Sequence, residues 1–392
     1  MDINKESLLL HQKLAGKISV ELKEPIKDQT DLSLLYSPGV AAPCLEISQN
    51  EEKVYDYTIK NNTVAIVSDG SAVLGLGNIK AAASIPVMEG KAALFKEFAG
   101  VNAFPICLDT QDDEKIIEIV KNIAPVFGGI NLEDINAPRC FYIEEKLKEL
   151  LDIPVFHDDQ HGTAIVCLAG LINALKIVKK DKEQVKIVVN GLGSAGVAIT
   201  KLLVEYGFKN FSLCGRNGEF YHGQINKEDL NDLVALVVEK KSNADRSLAQ
   251  ALAGADVFIG VSKGNLLDEA MIEQMADQPI VFAMANPDPE VSFAMAQKTK
   301  IEILATGRSD YPNQINNVLV FPGMFKGALE VRASQINLEM KLAAVNALVN
   351  IIDEKDLNPN YIIPSPFDKE VVIKLSEAVK QAAIASGVAR KI

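Results

Sequence analysis

Several groups of residues in this chain have types and spacings suited to chemistry. In the stretch "HDDQH", His157 and His161 stand four residues apart around Asp158 and Asp159. That spacing matches H-E-x-x-H, the helical zinc-protease pattern, with Asp in place of Glu. A second acidic pair, Glu133-Asp134, lies upstream. Carboxylates from two neighbouring strand ends can surround one hard cation such as Mg²⁺ or Mn²⁺. Acids that cap helices or sit in loops give the same spacing, so the residues alone leave both readings open. A third group is the loop Gly191-Leu192-Gly193-Ser194-Ala195-Gly196, which fits G-x-G-x-x-G, the pattern that lets a pyrophosphate approach a helix N-terminus. The last pair is Lys91, in the mostly apolar "IPVMEGKAALF", and Tyr36, beside the Pro38-Gly39 bend. Such a lysine is either a snorkelling surface residue or a base whose pKa is lowered by burial. Spacing does not choose between them.

These residues need elements to position them. Apolar runs at 63–70, 102–109, 128–138 and 153–156 read as strands, with helical patterns at 112–127 and 139–151 and helical material around Lys91. Strand-helix alternation indicates α/β architecture with a parallel sheet, in which functional side chains gather at the C-terminal strand ends. Asp69, Glu133-Asp134 and Asp158-Asp159 all fall at such ends. A long apolar helix, predicted to begin near Thr163, crosses to a second unit. There a strand, the glycine loop and a helix occur in the order a Rossmann-type fold requires. Further strands are expected at 211–215, 256–260, 280–286 and 301–307, with a helical C-terminus from Gly323. The expected division is 1–160 for an N-terminal α/β domain and 161–392 for a Rossmann-type dinucleotide-binding domain with a helical C-terminal segment.

With that framework the zinc reading weakens. A strand precedes His157 and Gly162 follows His161, so the two imidazoles are not expected to share a helical face. The only other histidines are His11 and His222. The second Rossmann strand ends in "LCGRNG", where Gly215 and Arg216 replace the acid that usually holds an NAD ribose. A guanidinium there can pair a 2′-phosphate, which favours NADP over NAD; an exposed turn arginine is the plainer reading. Asn286, before Pro287, and the pair Asn316-Asn317 can offer amides to a carboxylate without adding charge, although turns also favour Asn.

Composition bounds the partners. The 392 residues are 48% hydrophobic and 23% charged, with a net charge of −12. No basic block offsets that charge, which argues against a nucleic-acid partner. No apolar run reaches the length of a membrane span, and the N-terminus lacks a signal-peptide layout. Five scattered cysteines read as reduced thiols, so a cytoplasmic location is expected.

Taken in order, "LLYSPGVAAPC", "VSDGSAVLGLGNI", "IPVMEGKAALF", "INLEDINAPRCF", "VFHDDQHGTAIV", "NGLGSAG", "FAMANPDPE" and "NQINNVLVFPG" resemble the malic enzymes, specifically the short bacterial form. The resemblance implies oxidation of L-malate with NAD(P)⁺ and Mg²⁺ or Mn²⁺, followed by decarboxylation to pyruvate and CO₂. It implies Glu133, Asp134 and Asp159 as metal ligands, Lys91 as general base and Tyr36 as general acid. Asn286 and Asn317 would bind substrate and cofactor, and Asp158 and Arg139 would be neighbours of undefined role. A homodimer or larger homo-oligomer is also implied. Two departures stand out: Lys80 occupies a position where the family typically has a small residue, and "LCGRNG" lacks the usual acid. A weakened nicotinamide site would point to the alternative activity, a metal-dependent oxaloacetate decarboxylase.

Overall fold

The computed structural model describes residues 3–73, 75–220 and 246–391; His222 lies outside them. The first half builds a four-stranded parallel sheet from β1 (Thr63–Ser68), β2 (Asn102–Cys107), β3 (Gly129–Leu132) and β4 (Val155–His157), in the order β2-β1-β3-β4. Every residue of β1, β3 and β4 is buried. Helices cover both faces, which is why the strands read as continuous apolar runs rather than alternating ones. Alternate residues of β1 still serve opposite cores. Val64 and Ile66 pack with Phe95 and the long helix Asp158–Val178. Ala65 and Val67 pack with Ile116, Ile143 and Leu147 of the helices Asp113–Ile123 and Arg139–Leu150.

The second half carries a six-stranded sheet: β5 (Lys186–Asn190), β6 (Asn210–Gly215), β7 (Gly218–Glu219), β8 (Val257–Gly260), β9 (Ile280–Ala283) and β10 (Ile303–Thr306). Its order is β10-β9-β8-β5-β6-β7, and all pairs are parallel except β6–β7. The chain runs from β5 to β6 on one side and returns to β8 on the other. The crevice between β5 and β8 is therefore a topological switch point, where such sheets bind ligands.

The helix Asp158–Val178 joins the halves. Contrary to the sequence reading, this helix is long and apolar enough to cross a membrane, but 72% of its most apolar window is buried inside the protein. It is a core helix that contacts both sheets. One apolar cluster runs from Val64 and Phe156 through Leu168 and Leu171 to Ile187, Ile259 and Phe282. The C-terminal helices Phe321–Glu330, Leu338–Val349 and Lys369–Ala385 close over the same cluster.

Two elements differ from expectation. β7 forms a short hairpin after β6, where a plain turn is the sequence reading. The helix predicted from Thr163 begins at Asp158, with His157 as its N-cap. Acids in the first turn suit the helix dipole. Gly162 does not break it. A Cβ at that position would lie 1.9 Å from Asp158 Oδ1, so the glycine makes room for a carboxylate.

Candidate active site

β1, β3 and β4 are adjacent, so the residues that follow them meet at one sheet edge. Glu133 and Asp134 follow β3, and Asp158 and Asp159 follow β4. Carboxylate oxygens of Glu133, Asp134 and Asp159 all lie within 4.8 Å of one another. The Asp134 backbone, at φ +54°, turns so that its N–H donates to Asp159 Oδ2 at 2.8 Å. Asn131, buried inside β3, donates from its amide to Glu133 Oε2 at 2.9 Å.

Lys91 reaches this cluster from the helix Lys80–Ala99. Its Nζ lies 2.5 Å from Asp158 Oδ2 and 2.6 Å from Glu133 Oε1, and 4.4 Å from the centroid of the Phe321 ring. Burial alone would lower the Lys91 pKa, but Asp158, Glu133 and Asp159 overcome it and raise it. Burial pushes Glu133 well above the usual carboxylate range, with Lys91 opposing and Asp159, Asp158 and Asp134 adding to the rise. Burial lifts Asp158 to about 6, against the pull of Lys91 and the Asn317 amide. One ammonium thus faces four carboxylates. An all-oxygen donor set with excess negative charge fits a hard divalent cation.

The two imidazoles of HDDQH do not converge on a metal. His157 is fully buried with Nδ1 3.9 Å from Asp159 Oδ2. His161 directs Nε2 at the Glu144 carboxylate, 2.8 and 3.0 Å from its oxygens, and accepts from Lys341 at Nδ1 at 3.0 Å. Contrary to the sequence reading, His161 lies in the helix, but its imidazole is engaged by Glu144 and Lys341, while His157 sits at the N-cap outside it.

The glycine loop follows β5. Gly191 has φ +105°, and a Cβ there would lie 2.9 Å from the Val261 carbonyl. A Cβ on Gly196 would sit 1.7 Å from the Gly191 carbonyl oxygen, so the helix Ser194–Tyr206 packs directly on the turn. Gly193 faces open space. Leu192, Ser194 and Ala195 complete the turn and first helical residues. Arg216 is exposed in the β6–β7 turn. Asn286, before a cis proline, touches the first half: a Cβ on Gly75 would be 2.3 Å from its carbonyl oxygen. Asn317 packs beside Gly162 and Asp158.

Other expected residues stand apart. Tyr36 is 67% exposed at the C-cap of the helix Gln29–Leu35. Among the described residues no hydrogen bond or ring contact joins it to Lys91. Arg139 holds Asp69 at 2.9 Å and Asp113 at 2.6 Å, bracing β1 against its neighbour helix. Lys80 has φ +68°, the left-handed region that favours glycine, which explains why a small residue is expected there.

Sequence reasoning missed three contributors. Asn131 was detectable as an amide inside an apolar strand. Glu290, fully buried, accepts from the backbone N–H groups of Ala285 and Ser262 and so ties the loops after β8 and β9 together. Burial raises its carboxyl to about 7. Phe321, under Lys91, left no readable signal.

An acidic cation cluster with a buried lysine, joined to a parallel dinucleotide-binding sheet, defines a two-part α/β dehydrogenase. Comparisons with known proteins narrow the class. Residues 15–148 match the model of the malic enzyme N-terminal domain, and residues 160–384 that of the malic enzyme NAD binding domain. The bifunctional malic/malolactic enzyme of Bacillus subtilis is 53% identical over 393 residues, covering 100% of this chain and 95% of the relative. The NAD-dependent malic enzyme of Geobacillus stearothermophilus is 55% identical, covering 100% of this chain and 81% of that protein. The solved malic enzyme from Pyrococcus horikoshii superposes with a TM-score of 0.92 at 45% identity, over 100% of this chain and 92% of that one. The chain belongs to the malic enzyme family and is an NAD(P)-dependent enzyme of malic-enzyme-type oxidative decarboxylation.

Proposed function

We propose that the chain oxidises L-malate and decarboxylates the product to pyruvate and CO₂, with residues 1–160 holding substrate and metal and 161–392 the dinucleotide. The observation that carries this reading is Lys91 held by Asp158 and Glu133 at the edge of a three-carboxylate cluster. Glu133, Asp134 and Asp159 would hold Mg²⁺ or Mn²⁺. When bound, the cation supplies Lewis acidity at the substrate oxygen and the nicotinamide supplies the hydride acceptor. Lys91, neutral once the cluster's charge is compensated, takes the C2 hydroxyl proton as hydride leaves C2. Asp158 keeps its Nζ in place. Phe321 closes one side of the lysine against water. Asn286 and Asn317 orient the substrate carboxylate and the nicotinamide end without adding charge.

Tyr36 donates the proton to C3 of the three-carbon product in this reading. It lies among exposed apolar residues, with Leu34 at 69% and Leu35 at 49%. That surface supports a homodimer, whose second copy would cover this segment.

The test measures initial rates with malate and either NAD⁺ or NADP⁺ in Mn²⁺, beside oxaloacetate loss without dinucleotide. Metal-dependent NAD(P)H formation supports the reading. Oxaloacetate loss with no malate oxidation on either cofactor replaces it with the decarboxylase alternative. For the cofactor, we infer a preference for NADP through Arg216. Arg216→Ala should then weaken NADP more than NAD, and equal losses refute the 2′-phosphate contact.

A further inference from the structure

Away from the carboxylate cluster, a cavity of about 570 Å³ opens between the helices Arg139–Leu150, Asp158–Val178, Ser194–Tyr206 and Leu338–Val349. Its inner end is polar. The buried Glu144 carboxylate accepts from His161 Nε2, from Lys148 at 2.6 Å, and from the Gln160 amide and His157 N–H at 3.3 Å. That carboxylate is fully engaged. Two further lysines lack a carboxylate partner of their own. Lys341 bonds His161 Nδ1 but forms no ion pair, and Lys201 has neither hydrogen bond nor ion pair among the described residues. Burial pulls Lys341 down to about 7, and Lys148 and Lys201 push the same way while Glu144 opposes. Burial lowers Lys201 too.

The rest of the lining is of two kinds. Phe141, Val197, Leu202 and Leu338 form apolar walls, while Glu145, Glu149 and Glu205 stand exposed at the rim. Cations at the inner end attract an anion, whose binding offsets the cost of their burial. Acids at the rim repel a second negative charge. The volume suits a small molecule buried along its apolar part.

We propose that this cavity is an effector site for a small organic monoanion, a carboxylate with a short apolar chain, whose carboxylate meets Lys201 and Lys341. Its position gives it a readout. Gln160 and His161 share a helical turn with Asp158 and Asp159, and Val197 and Lys201 belong to the helix that starts at the glycine loop. An occupant packs against both, so its binding and dinucleotide binding are coupled in both directions.

The experiment uses the full chain and three probes in calorimetric titration: 4-methylpentanoate, inorganic phosphate and chloride. The carboxylate should bind, and Lys201→Met and Lys341→Met, each checked for an unchanged fold, should each weaken it at least tenfold. Phosphate should bind at least tenfold more weakly than the carboxylate. No carboxylate binding, wild-type affinity in both variants, or phosphate binding as tightly overturns the site. An NADH fluorescence titration is then repeated with saturating carboxylate. A shifted NADH Kd supports the effector role, and an unchanged Kd overturns it. NADH affinity without carboxylate reports separately on the cofactor reading, so the two failures are distinguishable.

Discussion

A single methyl group, added at two places in the glycine loop, should have two separable effects. At Gly196 the new Cβ would lie 1.7 Å from the Gly191 carbonyl oxygen, where real Cβ contacts stay beyond 3.0 Å. The obstacle is backbone, so no rotamer change relieves it. The turn must move off the helix, and overpacking of this kind costs about 1–3 kcal/mol. For a unit of this size each kcal/mol lowers Tm by roughly 2–4 °C. At Gly193 the Cβ meets nothing within 4 Å, and φ is −81°, an ordinary value for alanine. Gly193→Ala should leave Tm unchanged or slightly raised, since replacing glycine at a permitted φ narrows the unfolded ensemble. Its open space is where a pyrophosphate would approach. Dinucleotide affinity should therefore fall at least tenfold, about 1.4 kcal/mol. Differential scanning calorimetry reads the first effect and NADH fluorescence titration the second. Wild-type affinity in Gly193→Ala, or wild-type Tm in Gly196→Ala, refutes the reasoning.

Other perturbations address the site more directly. Lys91→Ala should abolish malate oxidation while protonation of pyruvate enolate persists; an unchanged kcat removes Lys91 as the base. Asp159→Asn should raise the Mn²⁺ concentration needed for half-maximal rate at least tenfold, and a wild-type requirement refutes the ligand assignment. Lys341, at about 7 when folded against 10.5 when free, binds fewer protons folded than unfolded between those values. Stability contributed at this position therefore rises with pH across that window. Lys341→Met should stabilise the protein more at pH 6 than at pH 9; a pH-independent difference in denaturation midpoint would contradict the depressed pKa.

The strand ends were legible because each acidic pair follows an apolar run, and strand ends converge once the sheet is parallel. The glycine loop was legible because its pattern is local: Gly191 turns the chain at a positive φ, and Gly196 packs against the Gly191 carbonyl five residues earlier. Pairings between distant residues were not. Lys91 meets Asp158 across 67 positions, and Lys341 meets His161 across 180. No local pattern encodes such contacts, so Asp158 read only as a neighbour of undefined role and Lys341 not at all. The start of the long helix was misplaced because Gly162 reads as a break. In the structure the glycine leaves room for the Asp158 carboxylate one turn earlier and for Asn317, which packs on it from a distant part of the chain. Tyr36 illustrates the opposite limit: its motif is clear, but the described chain leaves its side chain at the surface.

The apolar cluster that threads the helix Asp158–Val178 from one sheet to the other bears on engineering. Exchanging the dinucleotide half for that of another dehydrogenase would cut through a continuous interior rather than along a linker. The graft would have to match the donor's side-chain volumes on a surface that no longer exists separately. If Arg216 meets the cofactor as proposed, retargeting toward another nicotinamide cofactor belongs instead at the exposed Arg216 and Asn217 of the β6–β7 turn, outside that cluster.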